Sequence, residues 1–248
     1  LRTLQRWPFF RNPWRKNVMQ EGQEWVFSDT LGLLRDRQGD LHLTAPTRRY
    51  PQVAELLARW LTDRLPADAR GFKFTSMNVN CNYAAALHRD LGNFGPSFIH
   101  AFGSFSGGKL NYWPSDAGGP LAQLPKNGSV ALDLQRDLVL FNGNCAHSVE
   151  AFSGARYTIV YFTVGCYAQV NQDDREKLHR MGVPCPEPDH KVDGLPQWHR
   201  YPVAELETRK LGKSEAEAKR AGAKRRLPPE DAKSFYRNDQ RRARIEVE

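Results

Sequence analysis

From residue 71 to 164 the chain is cut into short β-prone segments by glycine, asparagine and proline turns, and this texture limits the fold more than any other feature. Strands are expected near 72–82, 97–103, 109–113, 129–134, 138–142, 146–150 and 156–164. Strands at such short, fairly even intervals suit an all-β sandwich or barrel rather than alternating β/α units. Upstream, residues 51–65 carry apolar side chains at Val53, Leu56, Leu57, Trp60, Leu61 and Leu65, with proline in the opening turn and Pro66 as a stop. That spacing predicts a helix packed on one face of a sheet. Residues 1–49 read as an irregular, Trp- and Arg-rich lead-in with short strands at 24–27 and 41–44. The expected organisation is an N-terminal extension over 1–70, a β core over 71–170, and a helical, basic extension over 171–248. The fold class is mainly β with flanking helices.

Net charge is +8, but it is unevenly spread. Residues 68–170 hold seven Lys/Arg against six Asp/Glu, whereas 209–248 hold thirteen against seven. A basic tail with Lys219-Arg220, Lys224-Arg225-Arg226 and Arg241-Arg242 could neutralise phosphates, or could be a solvated helix. No run of about 18 apolar residues exists, so no membrane-spanning segment is expected. The apolar stretches near the start are broken by Arg2, Arg6, Arg11 and Arg15, which argues against a signal peptide there. Cys81, Cys145, Cys166 and Cys185 form no C-x-x-C pair and read as buried free thiols in a reducing, intracellular compartment.

The chemistry is concentrated in Leu87-His88-Arg89-Asp90 and Cys145-Ala146-His147. On an extended segment residues i and i+2 point the same way, so His88 and Asp90 can offer an imidazole and a carboxylate to one metal. A distant His147 on a returning strand completes two nitrogens and one oxygen on one face. Such a set leaves positions open, as a non-haem Fe(II) needs for a bidentate keto acid and O₂, and contains none of the thiolates of a structural zinc site. His-x-Asp by itself is a weak signal, and a lone histidine is more often a packed or solvent-facing residue. After His147 a tight turn through Ser153-Gly154 is expected to lead into a strand opening with Arg156-Tyr157-Thr158. A guanidinium in that place can clamp the distal carboxylate of 2-oxoglutarate; the plainer alternative is a surface ion pair with Glu150. Arg156 and Thr158 share a side with Val160 and Phe162, as expected of a co-substrate pocket wall.

His-x-Asp, a distant His and a following Gly-x-Arg-Tyr strand resemble the Fe(II)/2-oxoglutarate dioxygenase superfamily. Ser106-Gly107-Gly108-Lys109-Leu110-Asn111-Tyr112-Trp113-Pro114 also resembles its glycine-pair strand, with Lys109 where an acidic residue is common. The resemblance implies a double-stranded β-helix core of jelly-roll or cupin-like form. It also implies use of Fe(II), 2-oxoglutarate and O₂ to hydroxylate a C–H bond. The metal set is His88, Asp90 and His147, with Arg156 on 2-oxoglutarate. Members often use an Asn or Tyr just before the first metal motif on the co-substrate, which here selects Asn80 and Tyr83; Thr158 joins Arg156 in the same role.

Ser76, Asn78, Asn80 and Asn82 alternate with Met77, Val79, Cys81 and Tyr83, so these amides line either a barrel interior or a solvated sheet face. The segment Gly92-Asn93-Phe94-Gly95-Pro96 reads as a substrate loop or as a plain turn. Tyr112 and Trp113 could stack on a flat substrate but suit a core equally. His100 reads as a satisfied core histidine. For the substrate, Asn-Cys-Asn-Tyr before His88 and Phe-Asn-Gly-Asn before His147 are similar to the TET/JBP branch, which implies a methylated nucleobase. The alternatives are a prolyl hydroxylase-like protein substrate, whose Gly-Gly-x-Leu strand the chain shares, or a small metabolite. A cupin-like binding module without chemistry is a further alternative, disfavoured by the complete ligand set.

Overall fold

The computed structural model describes residues 1–36, 38–192 and 194–208; the basic tail lies outside these residues. Its strands are β1 (Arg11–Asn12), β2 (Val26–Arg35), β3 (Leu41–Leu43), β4 (Ser76–Cys81), β5 (Asn93–Gly107) and β6 (Leu110–Tyr112). They continue as β7 (Val130–Leu132), β8 (Asp137–Phe141), β9 (His147–Val149), β10 (Phe152–Val164) and β11 (His199–Pro202). The α-helices lying wholly within the described residues are α1 (Arg2–Gln5), α2 (Ala45–Arg49), α3 (Pro51–Thr62) and α4 (Gln172–Arg180). Among the described residues the protein is therefore mainly antiparallel β, with few and short helices. None of the described helices is long and apolar enough to cross a membrane.

The large sheet runs β1-β2-β4-β10-β5-β8-β11, with β3 added beside β2. A small sheet runs β7-β6-β9. The lead-in is more regular than its composition suggests: β2 is ten residues long and pairs with β4 from Phe27↔Cys81 to Gly32↔Ser76. The segment 93–96 is neither loop nor turn but the opening of β5, where Asn93 and Phe94 pair with Val164 and Thr163. The turn expected at Ser153-Gly154 is displaced upstream, because both residues already pair with Ser106 and Phe105 inside β10. A Cβ on Gly154 (φ +99°) would lie 2.3 Å from the Ser104 carbonyl oxygen. Glycine here allows two backbones to approach closely rather than to reverse.

Helix α3 buries Ala54, Leu57, Ala58 and Leu61, with Val53 and Trp60 packed at the margin. Leu56 departs from the expected apolar face and is 52% exposed. The Tyr161 hydroxyl of β10 donates to the Leu57 carbonyl at 2.9 Å, tying the helix to the sheet. His100 is buried between Trp60 and Phe102, and its Nδ1 lies 3.1 Å from the Asp137 carbonyl oxygen. The four cysteines are unpaired. Cys185 is buried, while Cys81, Cys145 and Cys166 are only half-buried, which corrects the expectation that all are enclosed.

Leu61→Ala is expected to cost about 2–5 kcal/mol in denaturant unfolding, whereas Leu56→Ala should stay within about 0.5 kcal/mol. Equal effects would mean that α3 is rotated about its axis. Burial pushes the His100 imidazole below its ordinary range. The unfolded chain therefore takes up that proton first, so its contribution to stability is complete above about pH 6.5 and falls as pH drops below it. His100→Phe should flatten the slope of unfolding free energy against pH below about 6.5.

Candidate metal centre

The segment carrying His88 and Asp90 runs antiparallel beside β9, and its contact is a bridge between His88 and His147. The two residues exchange both backbone bonds: His88 N–H to His147 O at 3.0 Å and His147 N–H to His88 O at 2.9 Å. A pair bonded in this way carries its side chains on the same face. The rings meet at a centroid distance of 4.2 Å. Asp90, two residues along, joins that face and is anchored by its own N–H to the Gly143 carbonyl at 2.8 Å. One ligand atom from each of the three side chains lies within 4.8 Å of the others. His88 Nε2 is 3.5 Å from Asp90 Oδ1, and His147 Nε2 is 3.8 Å from Asp90 Oδ2.

The tautomers follow from the backbone. His88 Nδ1 lies 2.7 Å from the Ala86 carbonyl oxygen and His147 Nδ1 lies 2.9 Å from that of Cys145. A carbonyl only accepts, so each Nδ1 carries a proton, and Nε2 is the ring nitrogen left to face Asp90. Burial, reinforced by the neighbouring His88, pushes His147 down to about 4, so its ring stays neutral at physiological pH. Burial raises the Asp90 carboxyl, but the neighbouring His88 and His147 outweigh this and hold it below its ordinary value. The donor set is two imidazole nitrogens and one carboxylate, which suits a divalent transition metal such as Fe(II). No thiol contributes.

Asp116, which the sequence reading passed over, holds the two ligand segments together. Its carboxylate accepts from Arg89 Nε at 2.6 Å and Arg89 Nη2 at 2.7 Å. It also accepts from the backbone N–H of Ala146 at 2.6 Å and of Gly118 at 3.0 Å. Arg89 sits between His88 and Asp90, and Ala146 precedes His147. The Arg89 bond, first among these, keeps the Asp116 carboxyl well below the usual carboxylate range.

A cavity of about 240 Å³ opens from this face between the two sheets. Asn78 and Asn80 of β4 and Arg156, Thr158, Val160 and Phe162 of β10 form one wall. Leu110, His147 and Val149 of the small sheet face them. The alternating amides therefore line an interior, and the solvated-face alternative is excluded. Ser76 is buried but outside the cavity, and Asn82 (φ 51°) leaves the strand and caps Arg156 N–H at 2.8 Å.

Arg156 is 4% exposed and makes no ion pair with Glu150. Its Nη2 donates to the Gly108 carbonyl at 3.1 Å, its Nε is buried without a partner, and Phe105 and Phe152 lie against the guanidinium. This uncompensated burial pushes Arg156 down to about 10. Gly108 (φ +66°) is required here, since a Cβ would lie 2.9 Å from Arg156 Nε. Nearby, Tyr83 Oη donates to Asn80 Oδ1 at 2.8 Å, as does Ser28 Oγ at 2.8 Å, and Asn80 Nδ2 donates to Thr158 Oγ1 at 3.2 Å. Thr158 accepts in that bond, so its own proton is available to a ligand. Ser28 was not anticipated; its partner lies 52 residues away across a strand pair, which no local pattern reveals.

Other expected contacts are absent from the cavity. Tyr112 is a core residue whose oxygen accepts from Asn142 N–H, and Trp113 is tied to the Pro125 carbonyl; neither lines the cavity. Conversely, Arg15, Asn17 and Val18 from the lead-in do line it.

No family model and no curated protein sequence matches the chain. Among solved structures, NgTET1 in complex with 5mC DNA aligns at 20% identity over 62% of this chain and 68% of its own, with a TM-score of 0.41. An oxidoreductase of the 2OG-Fe(II) oxygenase family from Burkholderia pseudomallei aligns at 17% identity over 65% and 75%, with a TM-score of 0.39. YcfD, a ribosomal oxygenase from Escherichia coli in complex with cobalt and succinic acid, aligns at 14% identity over 77% and 54%, with a TM-score of 0.29.

Asp116→Asn should weaken Mn(II) binding by about 10–100-fold, the usual cost of losing a group that orients metal ligands. Titration calorimetry on the folded variant checks this. Unchanged affinity would mean that the ligand segments hold their geometry without Asp116.

Proposed function

We propose that the protein is an Fe(II)- and 2-oxoglutarate-dependent dioxygenase that hydroxylates a C–H bond. The observation that carries the reading is one cavity with two different ends. At one end two Nε2 lone pairs and a carboxylate converge; at the other a buried guanidinium lacks a carboxylate partner. In this reading His88, Asp90 and His147 hold iron, and the two sheets are the halves of a double-stranded β-helix. When bound, iron supplies the site for the keto-acid end of 2-oxoglutarate and for O₂, and with them the oxidising power for hydroxylation.

The chain's own residues supply the positioning. Arg156 Nε and the Thr158 hydroxyl take the distal carboxylate, which relieves the cost of burying an unpaired cation. Asn80 and Tyr83 act through Thr158: their hydrogen bonds direct its proton toward the ligand. Val160, Phe162, Leu110 and Val149 make the surrounding walls apolar, which excludes water and strengthens each charged contact. Asp90 is the most open ligand, with 24% side-chain exposure, so the substrate approaches from its side.

Within this class we place a methylated nucleobase first, because the motifs around His88 and His147 resemble those of the TET/JBP branch. A protein side chain or a small metabolite is the alternative.

Anaerobic titration with Fe(II) and 2-oxoglutarate should produce the weak visible charge-transfer band of an iron–keto acid chelate, absent in His147→Ala. Arg156→Ala and Gly108→Ala should weaken 2-oxoglutarate at least tenfold while leaving Mn(II) affinity unchanged, since the lost contact is a charge-assisted hydrogen bond. Folded, metal-loaded protein without a band would sink the proposal. Oligonucleotides bearing 5-methylcytosine, assayed for oxidised base and succinate, then test the substrate.

A further inference from the structure

The lead-in is docked onto the metal-ligand segment rather than draped over the surface. Val18 is 1% exposed and packs with Ala85 and Tyr83. Its carbonyl accepts from Ala86 N–H at 2.9 Å, and Gln20 Nε2 donates to the Ala84 carbonyl at 3.0 Å. A short 3₁₀ turn over Lys16–Val18 then places Arg15 against the cavity, where it is half-buried. Among the described residues its guanidinium has no carboxylate within ion-pairing distance. It enters beside the segment that leads into His88, since the Val18 carbonyl bonds Ala86 N–H two residues before that histidine, whereas Arg156 enters from β10. The two arginines therefore reach the cavity from different elements, Arg15 on the side of the segment that carries His88 and Asp90.

Charge balance shows what Arg15 is for. The cavity is lined by one carboxylate, Asp90, and two guanidiniums, Arg15 and Arg156, an excess of one positive charge. A divalent metal raises that excess to three, and doubly charged 2-oxoglutarate lowers it to one. Asp90 cannot satisfy Arg15 in that state, because its charge is committed to the metal. A half-buried cation beside a low-dielectric cavity then favours a further oxyanion contact.

We propose that Arg15 is a second anion-binding residue of the cavity, on its metal side, recognising a carboxylate or phosphate oxyanion. The inference rests on the dioxygenase reading above for its charge balance, but not for the placement of Arg15. Two sources offer such a group: the keto-acid carboxylate of 2-oxoglutarate, or an anionic group on the molecule to be hydroxylated. A bidentate fork fits either, and a lysine could replace its charge but not its planar geometry.

The test uses the full chain loaded with Mn(II), which is redox-stable in air-free buffer, and compares wild type with Arg15→Gln and Arg15→Lys. Two quantities are read: 2-oxoglutarate affinity by calorimetry, and relaxation of the ³¹P resonance of inorganic phosphate by Mn(II) in the presence of 2-oxoglutarate. A fall of about tenfold or more in 2-oxoglutarate affinity in Arg15→Gln, smaller in Arg15→Lys, supports the proposal and assigns the anion to the co-substrate. Unchanged 2-oxoglutarate affinity, with phosphate relaxation present in wild type and lost in Arg15→Gln, supports it and assigns the anion to a second ligand. If neither quantity differs between wild type and Arg15→Gln, the proposal is overturned. Should wild type bind Mn(II) but not 2-oxoglutarate, the dioxygenase reading fails instead, and the phosphate measurement made without co-substrate decides Arg15 by itself.

Discussion

Two reciprocal hydrogen bonds between the backbones of His88 and His147 are the constraint on which the site depends. They convert two distant stretches of sequence into one cross-strand pair, and the pleat then has no choice about where the imidazoles go. Period-two geometry adds Asp90 to the same face. The opposite face of the same segment carries Arg89, whose bond to Asp116 clamps the arrangement from behind. A single alternation thus divides the segment into cavity-facing and scaffold-facing side chains. Ligand geometry of this kind is cheap in sequence and demanding in register, because a slip by one residue would exchange the two roles.

The cavity shows how burial prepares groups for ligands. Backbone carbonyls engage Nδ1 of both histidines, so Nε2 is the nitrogen of each ring that faces inward. Arg156 is kept charged in a setting that lowers its proton affinity, with one nitrogen left without a partner. Each of these is costly in a folded protein unless something binds there. The polar network from Ser28 and Tyr83 through Asn80 to Thr158 lies beside these two ends and is satisfied internally, apart from the proton that Thr158 retains. Rigid, saturated groups thus stand beside unsaturated ones.

Much of this was legible in the residues. His88 and Asp90 two apart, and Arg156, Thr158, Val160 and Phe162 on one side of a strand, are statements about local periodicity, and they follow wherever a strand forms. Helix α3 was similarly legible, apart from Leu56, because a 3.6-residue period gives a broader apolar stripe than the sheet covers. Local pattern misleads where one residue type has two uses. Gly154 suits a turn and Gly95 a loop or a turn, yet both stand inside long strands, Gly154 where another backbone passes too close for a Cβ. Ser28, Arg15 and Asp116 gave no signal, since their partners are reached only across strands or loops far away in the chain.

The amino-acid sequence by itself determined which side chains share a face, which metal chemistry those faces could serve, and that the chain would be mainly β. Tertiary structure decided which faces meet. Only the antiparallel register sets His147 opposite His88, folds Asp116 behind them, and lays the lead-in across the ligand segment so that Arg15 enters the cavity. The physical reason is that side-chain direction is a property of a few neighbouring residues, whereas strand pairing is chosen by the burial of whole faces and by hydrogen bonds between distant backbones.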